Sequence, residues 1–231
     1  MKKWWVFLNL LFINITVFSQ ELSGQFKREF VQSVQLEYLI DVPQDKTKGL
    51  PLLVFLHGSG ERGGALDIVK SHSPFTYKSL ISEPAILLAP HCPENQKWDT
   101  QAVYKLIQFI VEKYKVDATR IYLTGLSMGG LGVWKLTFEH PELFAAVAPV
   151  CAPTDYFMED EFPRIQNIPI HIYHGALDDV VPPSYAINIY NRLKKVNPNA
   201  QLTIFPNDNH NAWDSTYSNP EFYQWLFKQH Q

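Results

Sequence analysis

The chain has 231 residues, 46% of them hydrophobic, with 20 basic and 23 acidic side chains and a formal charge of −3. That is enough apolar material for one sizeable core and too little chain for two full domains. No basic stripe interrupts the acidic balance, which disfavours nucleic acid and anionic membrane surfaces as partners.

In chain order, the first segment reads differently from the rest. Met1-Lys2-Lys3 is basic, Trp4–Phe18 is almost wholly apolar, and Val17 and Ser19 occupy the −3 and −1 positions of a cut before Gln20. This is the layout of a secretory signal peptide, so residues 1–19 are expected to be a signal and 20–231 the folded domain. A single membrane anchor is the alternative, but the apolar run falls short of the roughly 20 residues that a spanning helix needs. No Cys follows it to accept a lipid. The expectation is a secreted or periplasmic protein without stable membrane insertion once the signal is removed. Export permits a disulfide between Cys92 and Cys151. Each lies just after a predicted strand, where a buried free thiol is the alternative.

Phe26–Val42 alternates and is rich in β-formers, which predicts an opening antiparallel strand or pair. The pattern then changes to short continuous apolar runs: Leu52–Leu56, Ile86–Ala89, Ile121–Leu123, Ala145–Val150, Ile170–Tyr173 and Leu202–Phe205. Such runs suit strands buried on both faces of a parallel sheet. Between them, Ala102–Tyr114 places Val103, Leu106, Ile107, Ile110, Val111 and Tyr114 on one helical stripe. Tyr185–Val196 and Pro220–Lys228 read the same way. The alternation predicts an α/β fold, a doubly wound, mainly parallel sheet with helices on both faces. In such sheets ligands sit outside the carboxyl ends of the strands.

The sharpest motif is Gly125-Leu126-Ser127-Met128-Gly129, a G-x-S-x-G between an apolar strand and the helical stretch Leu131–Glu139. A nucleophile on a sharp strand-to-helix turn has strained backbone angles, and side chains at the flanking glycines would clash with neighbouring elements. The turn also puts Ser127 at a helix N-terminus, where free N–H groups favour developing negative charge. The Met128 N–H is placed to be one oxyanion donor. The bland reading, an ordinary Gly-rich turn, loses to the strand and helix around it.

An earlier strand ends in His57-Gly58-Ser59-Gly60. In α/β-hydrolases, whose G-x-S-x-G turn the Ser127 turn resembles, that loop supplies the second oxyanion N–H, assigned to Ser59 with Gly60 as alternative. His57 precedes the serine and ends a strand, so it is expected to hold the loop by hydrogen bonds. Glu61 and Arg62 are either a solvated ion pair, a brace for the loop, or contacts to a polar substrate.

A serine hydroxyl needs a base, and the base needs an orienting group. In the α/β-hydrolase fold the order is serine, acid, histidine; of the eight histidines this leaves His210, in a polar loop after the last strand, once His230 is set aside at the frayed C-terminus. For the acid, Asp178 and Asp179 both follow Ile170–Gly175, and spacing does not separate them; Asp155 is an outside candidate. His171 and His174 are three apart on a strand and face opposite sides, so they are not a metal pair. Neither a metal nor a cofactor is expected.

LHGSGERG at 56–63, APHCP at 89–93, RIYLTGLSMGG at 120–130, HGALDDVVP at 174–182 and the His210/Trp213 pair together resemble the bacterial predicted-peptidase or esterase-type α/β-hydrolases. These are related to carbohydrate esterases, such as feruloyl and acetylxylan esterases, and to polyhydroxybutyrate depolymerases. The resemblance runs from about Leu50 to the C-terminus. It implies that the acid is the fifth residue of HGxxD, Asp178, and that the oxyanion donors are Ser59 and Met128. The family often has Gln where His91 stands, and Phe26–Gly49 carries little of its signal.

Between Ala152 and Ile168 there is no room for a lid or cap domain, so a minimal α/β-hydrolase with an uncovered site is expected. An open site and export suit an ester on a polymer, here acetyl or feruloyl groups on polysaccharide. Trp98, Tyr156, Phe157 and Trp213 fall near the expected site edge. Trp98 and Trp213 are the candidate substrate contacts, with core or rim packing the alternative. A serine peptidase of the same fold is the nearest rival, and a non-catalytic binding protein on this fold the more distant one.

Overall fold

The computed structural model describes residues 35–44, 49–154 and 156–231, without the side chains of 156–159. The expected signal, the cut before Gln20 and the first half of Phe26–Val42 lie outside the described residues, as does Asp155.

The apolar runs form a seven-stranded sheet: β1 (Glu37–Asp41), β2 (Leu52–Leu56), β3 (Ile86–His91), β4 (Ile121–Leu126), β5 (Ala146–Val150), β6 (His171–Gly175) and β7 (Gln201–Phe205). Their spatial order is β1-β3-β2-β4-β5-β6-β7. Only β1 is antiparallel, pairing Glu37 with His91 and Asp41 with Leu87 on β3. The remaining ladders are parallel. This is the expected doubly wound, mainly parallel sheet.

Burial explains the continuous apolar runs. Leu52, Val54 and Leu56 of β2 pack into one core cluster, and Leu53 and Phe55 into another on the opposite face. Helices α1 (Thr100–Tyr114), α2 (Met128–Glu139) and α3 (Ser184–Leu193) cover the first face through Val103, Ile107, Ile110, Val133, Leu136, Ile189 and Leu193. Helices α4 (Ala212–Tyr217) and α5 (Pro220–Phe227) cover the second through Tyr217, Phe222, Tyr223 and Leu226. Asp99 caps α1 by accepting from the Ala102 N–H at 3.0 Å.

Several strands run further than their apolar cores. β3 continues through Pro90-His91, β4 through Thr124-Gly125-Leu126, and β6 through His174-Gly175. The extensions carry polar residues and glycines because these carboxyl ends are where the fold places its site. α3 stops at Leu193, three residues early. Lys195 and Val196 turn back in i→i−3 bonds, and the buried Asn197 side chain donates to the carbonyls of Ile165 and Ile168. Helix α4 was not expected.

The segment after β5 folds down as 3-10 turns over Tyr156–Ile165, burying Phe162, Ile165 and Ile168 in the α2 side of the core. No separate cap stands over the site among the described residues. None of the described helices is long and apolar enough to cross a membrane. Cys92 and Cys151 are both buried free thiols.

Candidate active site

Strand order fixes where the site lies. β2 connects onward to β3 on one side, whereas β4 connects to β5 on the other. The loops leaving these neighbouring strands therefore diverge and open a crevice at their carboxyl ends. The β2 loop carries Ser59 and the β4 turn carries Ser127.

Ser127 adopts φ 52 and ψ −116, a conformation costly for a residue with a side chain. Its surroundings enforce it. The Ser127 N–H donates to the Val150 carbonyl at 2.9 Å, and α2 starts at the next residue. A Cβ on Gly129 would stand 1.9 Å from the Leu56 carbonyl oxygen, so only glycine lets α2 approach β2 this closely.

The base arrives by a similar close approach. A Cβ on Gly175 would stand 2.2 Å from the Asn209 carbonyl oxygen, so the loop after β7 lies directly on the end of β6. The Ala176 and Leu177 N–H groups donate to the carbonyls of Phe205 and Asp208 and lock the two loops together. His210 Nε2 consequently stands 3.0 Å from Ser127 Oγ, and its Nδ1 stands 2.8 Å from Asp178 Oδ2. The Nδ1 proton faces the carboxylate, which leaves Nε2 free to accept the serine proton.

Asp178 is almost fully buried, and its carboxylate is matched by donors. Oδ1 accepts from the N–H groups of Val180 at 3.0 Å and Val181 at 2.8 Å. Oδ2 accepts from His210 Nδ1 at 2.8 Å; His174 Nε2 lies 3.1 Å from the same oxygen but gives its hydrogen bond to the Val181 carbonyl. Asp179 is exposed and takes no part in this network. Of the two aspartates left open by spacing, the geometry brings only Asp178 to His210.

His57 behaves as expected. Its Nε2 accepts from the Cys92 N–H at 3.0 Å, so Nδ1 carries the proton and donates to the Gly58 carbonyl at 2.7 Å. Burial lowers its pKa to about 4, which keeps the ring neutral. His91 ties the same loop through Nε2 to the carbonyls of Glu61 and Gly63. Arg62 is the brace among the readings open to it. Its Nε donates to the Ser59 carbonyl at 3.0 Å and its Nη1 to that of Gln96 at 3.0 Å. Glu61 does not pair with it; its Oε2 is buried near His57 without a hydrogen-bond partner among the described residues.

Ser59, Ser127 and Met128 line one cavity of about 290 Å³ together with Arg62, Lys97, Trp98, Leu131, Gly132, Lys135 and Pro153. Trp98 is held by its Nε1–H on the His57 carbonyl at 3.2 Å and packs edge-on against the His57 ring. Trp213 does not line this cavity. It stands edge-on to His210 with ring centroids 5.4 Å apart. Leu131, Gly132 and Lys135 were not anticipated. With Met128 they fall at i, i+3, i+4 and i+7 of α2, and this one helical stripe was a signal open to the sequence.

The nearest approach to a metal-ligand set among the described residues is Cys151, Asp178 and His210, whose donor atoms lie within 4.8 Å of one another. Burial and the Asp178 carboxylate push the Cys151 thiol up to about 12. A metal would need the thiolate and would compete for the His210–Asp178 contact.

Sheet order, nucleophile turn and histidine loop together define an α/β-hydrolase fold. Residues 88–219 match the phospholipase/carboxylesterase family, and the chain belongs to it. It is similar to a bifunctional acetylxylan esterase/xylanase of Neocallimastix patriciarum, 28% identical over 204 residues, covering 78% of this chain and 29% of that protein. Among solved structures, a thermostable esterase matches at 33% identity and TM-score 0.77, covering 86% of this chain and 60% of the other. Est1E from Butyrivibrio proteoclasticus shares the fold at 16% identity and TM-score 0.65, covering 84% of this chain and 93% of the other. The chain thus spans less than two thirds of the length of the first two of these relatives.

Proposed function

We propose that the protein is a secreted serine carboxylic-ester hydrolase that removes acyl groups, acetyl or feruloyl, from polysaccharide. The observation that carries this reading is the unbroken contact from Ser127 Oγ through His210 to the buried carboxylate of Asp178, at 3.0 Å and 2.8 Å. In this mechanism His210 Nε2 takes the serine proton as Oγ attacks the ester carbonyl. The N–H groups of Ser59 and Met128 receive the oxyanion, supported by the α2 N-terminus. His210 then returns the proton to the departing alcohol, leaving an acyl-enzyme. Water deprotonated by His210 releases the acid and restores Ser127.

The esterase names of its relatives and the absence of a cap over the described site support an ester on a bulky alcohol. The test sets the purified protein beside Ser127→Ala on an aryl acetate, methyl ferulate, acetylated xylan and a chromogenic peptide amide. The serine change should lower turnover by a factor on the order of 10⁶. Cleavage of the peptide amide alone would move the assignment to a peptidase. Equal activity of the two proteins would remove Ser127 from the mechanism.

A further inference from the structure

The cavity beside Ser127 has a chemical asymmetry that the hydrolytic mechanism does not use. Its body is apolar, built from Trp98, Met128, Leu131, Gly132 and Pro153, whereas Arg62, Lys97 and Lys135 also line it. No carboxylate is among the described residues lining it, although the chain as a whole carries a formal charge of −3. The three cations are therefore a local arrangement and not a sample of a basic surface. Arg62 is fixed by Nε and Nη1, which leaves Nη2 unused among the described residues. Lys97 and Lys135 make no ion pair or hydrogen bond among them.

Which half of an ester enters this cavity follows from the proton. His210 must protonate the departing alcohol, so the alcohol lies against His210. Neither His210, Asp178 nor Trp213 lines the cavity. The part of the substrate that fills it is the acyl part. At a liquid share of ~30 Å³ per water, 290 Å³ is far more than an acetyl group occupies.

We propose that this cavity is the acyl subsite and that it takes an acyl group ending in a carboxylate, the half-ester of a dicarboxylic acid. The proposal rests on the esterase reading and adds, beyond the neutral acetyl and feruloyl groups, an acyl class with a charged far end. The apolar walls hold the chain or ring of the acid, and the far carboxylate meets Arg62, Lys97 and Lys135. Charge-assisted hydrogen bonds of this kind are about twice as strong as neutral ones.

Methyl 4-carboxycinnamate and methyl 4-carbamoylcinnamate match in shape and differ in the charge of the far end. The protein should favour the carboxylate in kcat/KM by on the order of tenfold, and added salt should shrink the preference. The double variant Lys97→Gln/Lys135→Gln should bring the ratio of the two esters towards one, Arg62 being left in place because it holds the Ser59 loop. Calorimetric binding of the same esters to Ser127→Ala makes the comparison without turnover. Equal kcat/KM and equal affinity for the two esters, or a ratio unmoved by the lysine changes, overturns the proposal. Hydrolysis of an aryl acetate in that case leaves the esterase reading standing. Tighter binding of the carboxylate ester to Ser127→Ala, with no turnover of any ester by the unaltered protein, upholds the subsite and overturns the esterase reading.

Discussion

His174 and His210 share one oxygen of Asp178: Oδ2 lies 3.1 Å from His174 Nε2 and 2.8 Å from His210 Nδ1. The His174 ring is fully buried, and its Nε2 also meets the Val181 carbonyl at 2.8 Å. Both partners are acceptors, so Nε2 carries the proton. The motif HGALD therefore supplies the acid and, through the Val181 carbonyl, a tie on the loop whose Val180 and Val181 N–H groups hold that acid.

Two measurements separate these roles. Asp178→Asn should lower kcat by about 10⁴, because His210 loses the carboxylate that holds its tautomer, whereas Asp179→Asn, at an exposed site, should leave kcat little changed. His174→Phe keeps a ring in the same place and removes the donor. The bond lost is to the neutral Val181 carbonyl, and a neutral hydrogen bond contributes about 0.5–1.5 kcal/mol, so kcat should fall by no more than about tenfold while KM for an aryl acetate stays near its original value. Steady-state kinetics below the melting temperature of each variant reads both. An unchanged kcat in His174→Phe would reduce His174 to packing.

The glycines at the site are not equivalent. At Gly129 an added Cβ would sit 1.9 Å from the Leu56 carbonyl oxygen and 2.6 Å from that of His57, backbone atoms that cannot step aside. Gly129→Ala should therefore push α2 off β2 and cost several kcal/mol, within the range of severe core defects of about 4–5 kcal/mol. At Gly60 a Cβ meets nothing within 4 Å, and φ is not in the left-handed region. Gly60→Ala should be neutral or stabilising by about 0.4–1 kcal/mol through the unfolded chain. Urea melts of the two variants should fall on opposite sides of the parent or nearly so; comparable losses would refute the packing argument.

Much of this molecule was open to its sequence, for identifiable reasons. Strands buried on both faces leave continuous apolar runs, so all six parallel strands were found. The carboxyl ends of β3 and β4 were not, because His91 and Thr124 obey the site and not the core pattern. Helix α4 is six residues long and has too few turns to show a period. Ser127 and His210 follow from motif and chain order, but the choice between Asp178 and Asp179 needed family resemblance, because adjacent carboxylates differ only in how the loop turns. His174 was set aside as a strand residue. Its role depends on the loop curling back to bring the Val181 carbonyl to its ring, which spacing does not reveal.

Acid should loosen this fold through two of its histidines. His57 and His171 both have pKa values lowered to about 4 by burial. His57 needs its neutral Nε2 to accept from the Cys92 N–H, and His171 is held between Thr203 and Tyr173. In the unfolded chain both titrate near 6.5. Above pH ~6.5 neither state takes a proton and their contribution is complete. Between about 6.5 and 4 the unfolded state binds protons that the native state refuses, so stability falls as pH falls, and below about 4 the effect levels off. The loss is on the order of 3 kcal/mol per histidine at most. Carboxylates add their own dependence in the same window, so the informative quantity is a difference. His171→Phe retains the ring stacked on Tyr173, now at 4.1 Å between centroids, and removes one titrating group. Its melting temperature should drop less than that of the parent between pH 7 and pH 4. Parallel curves would mean that His171 is protonated in the native state as readily as in the unfolded one.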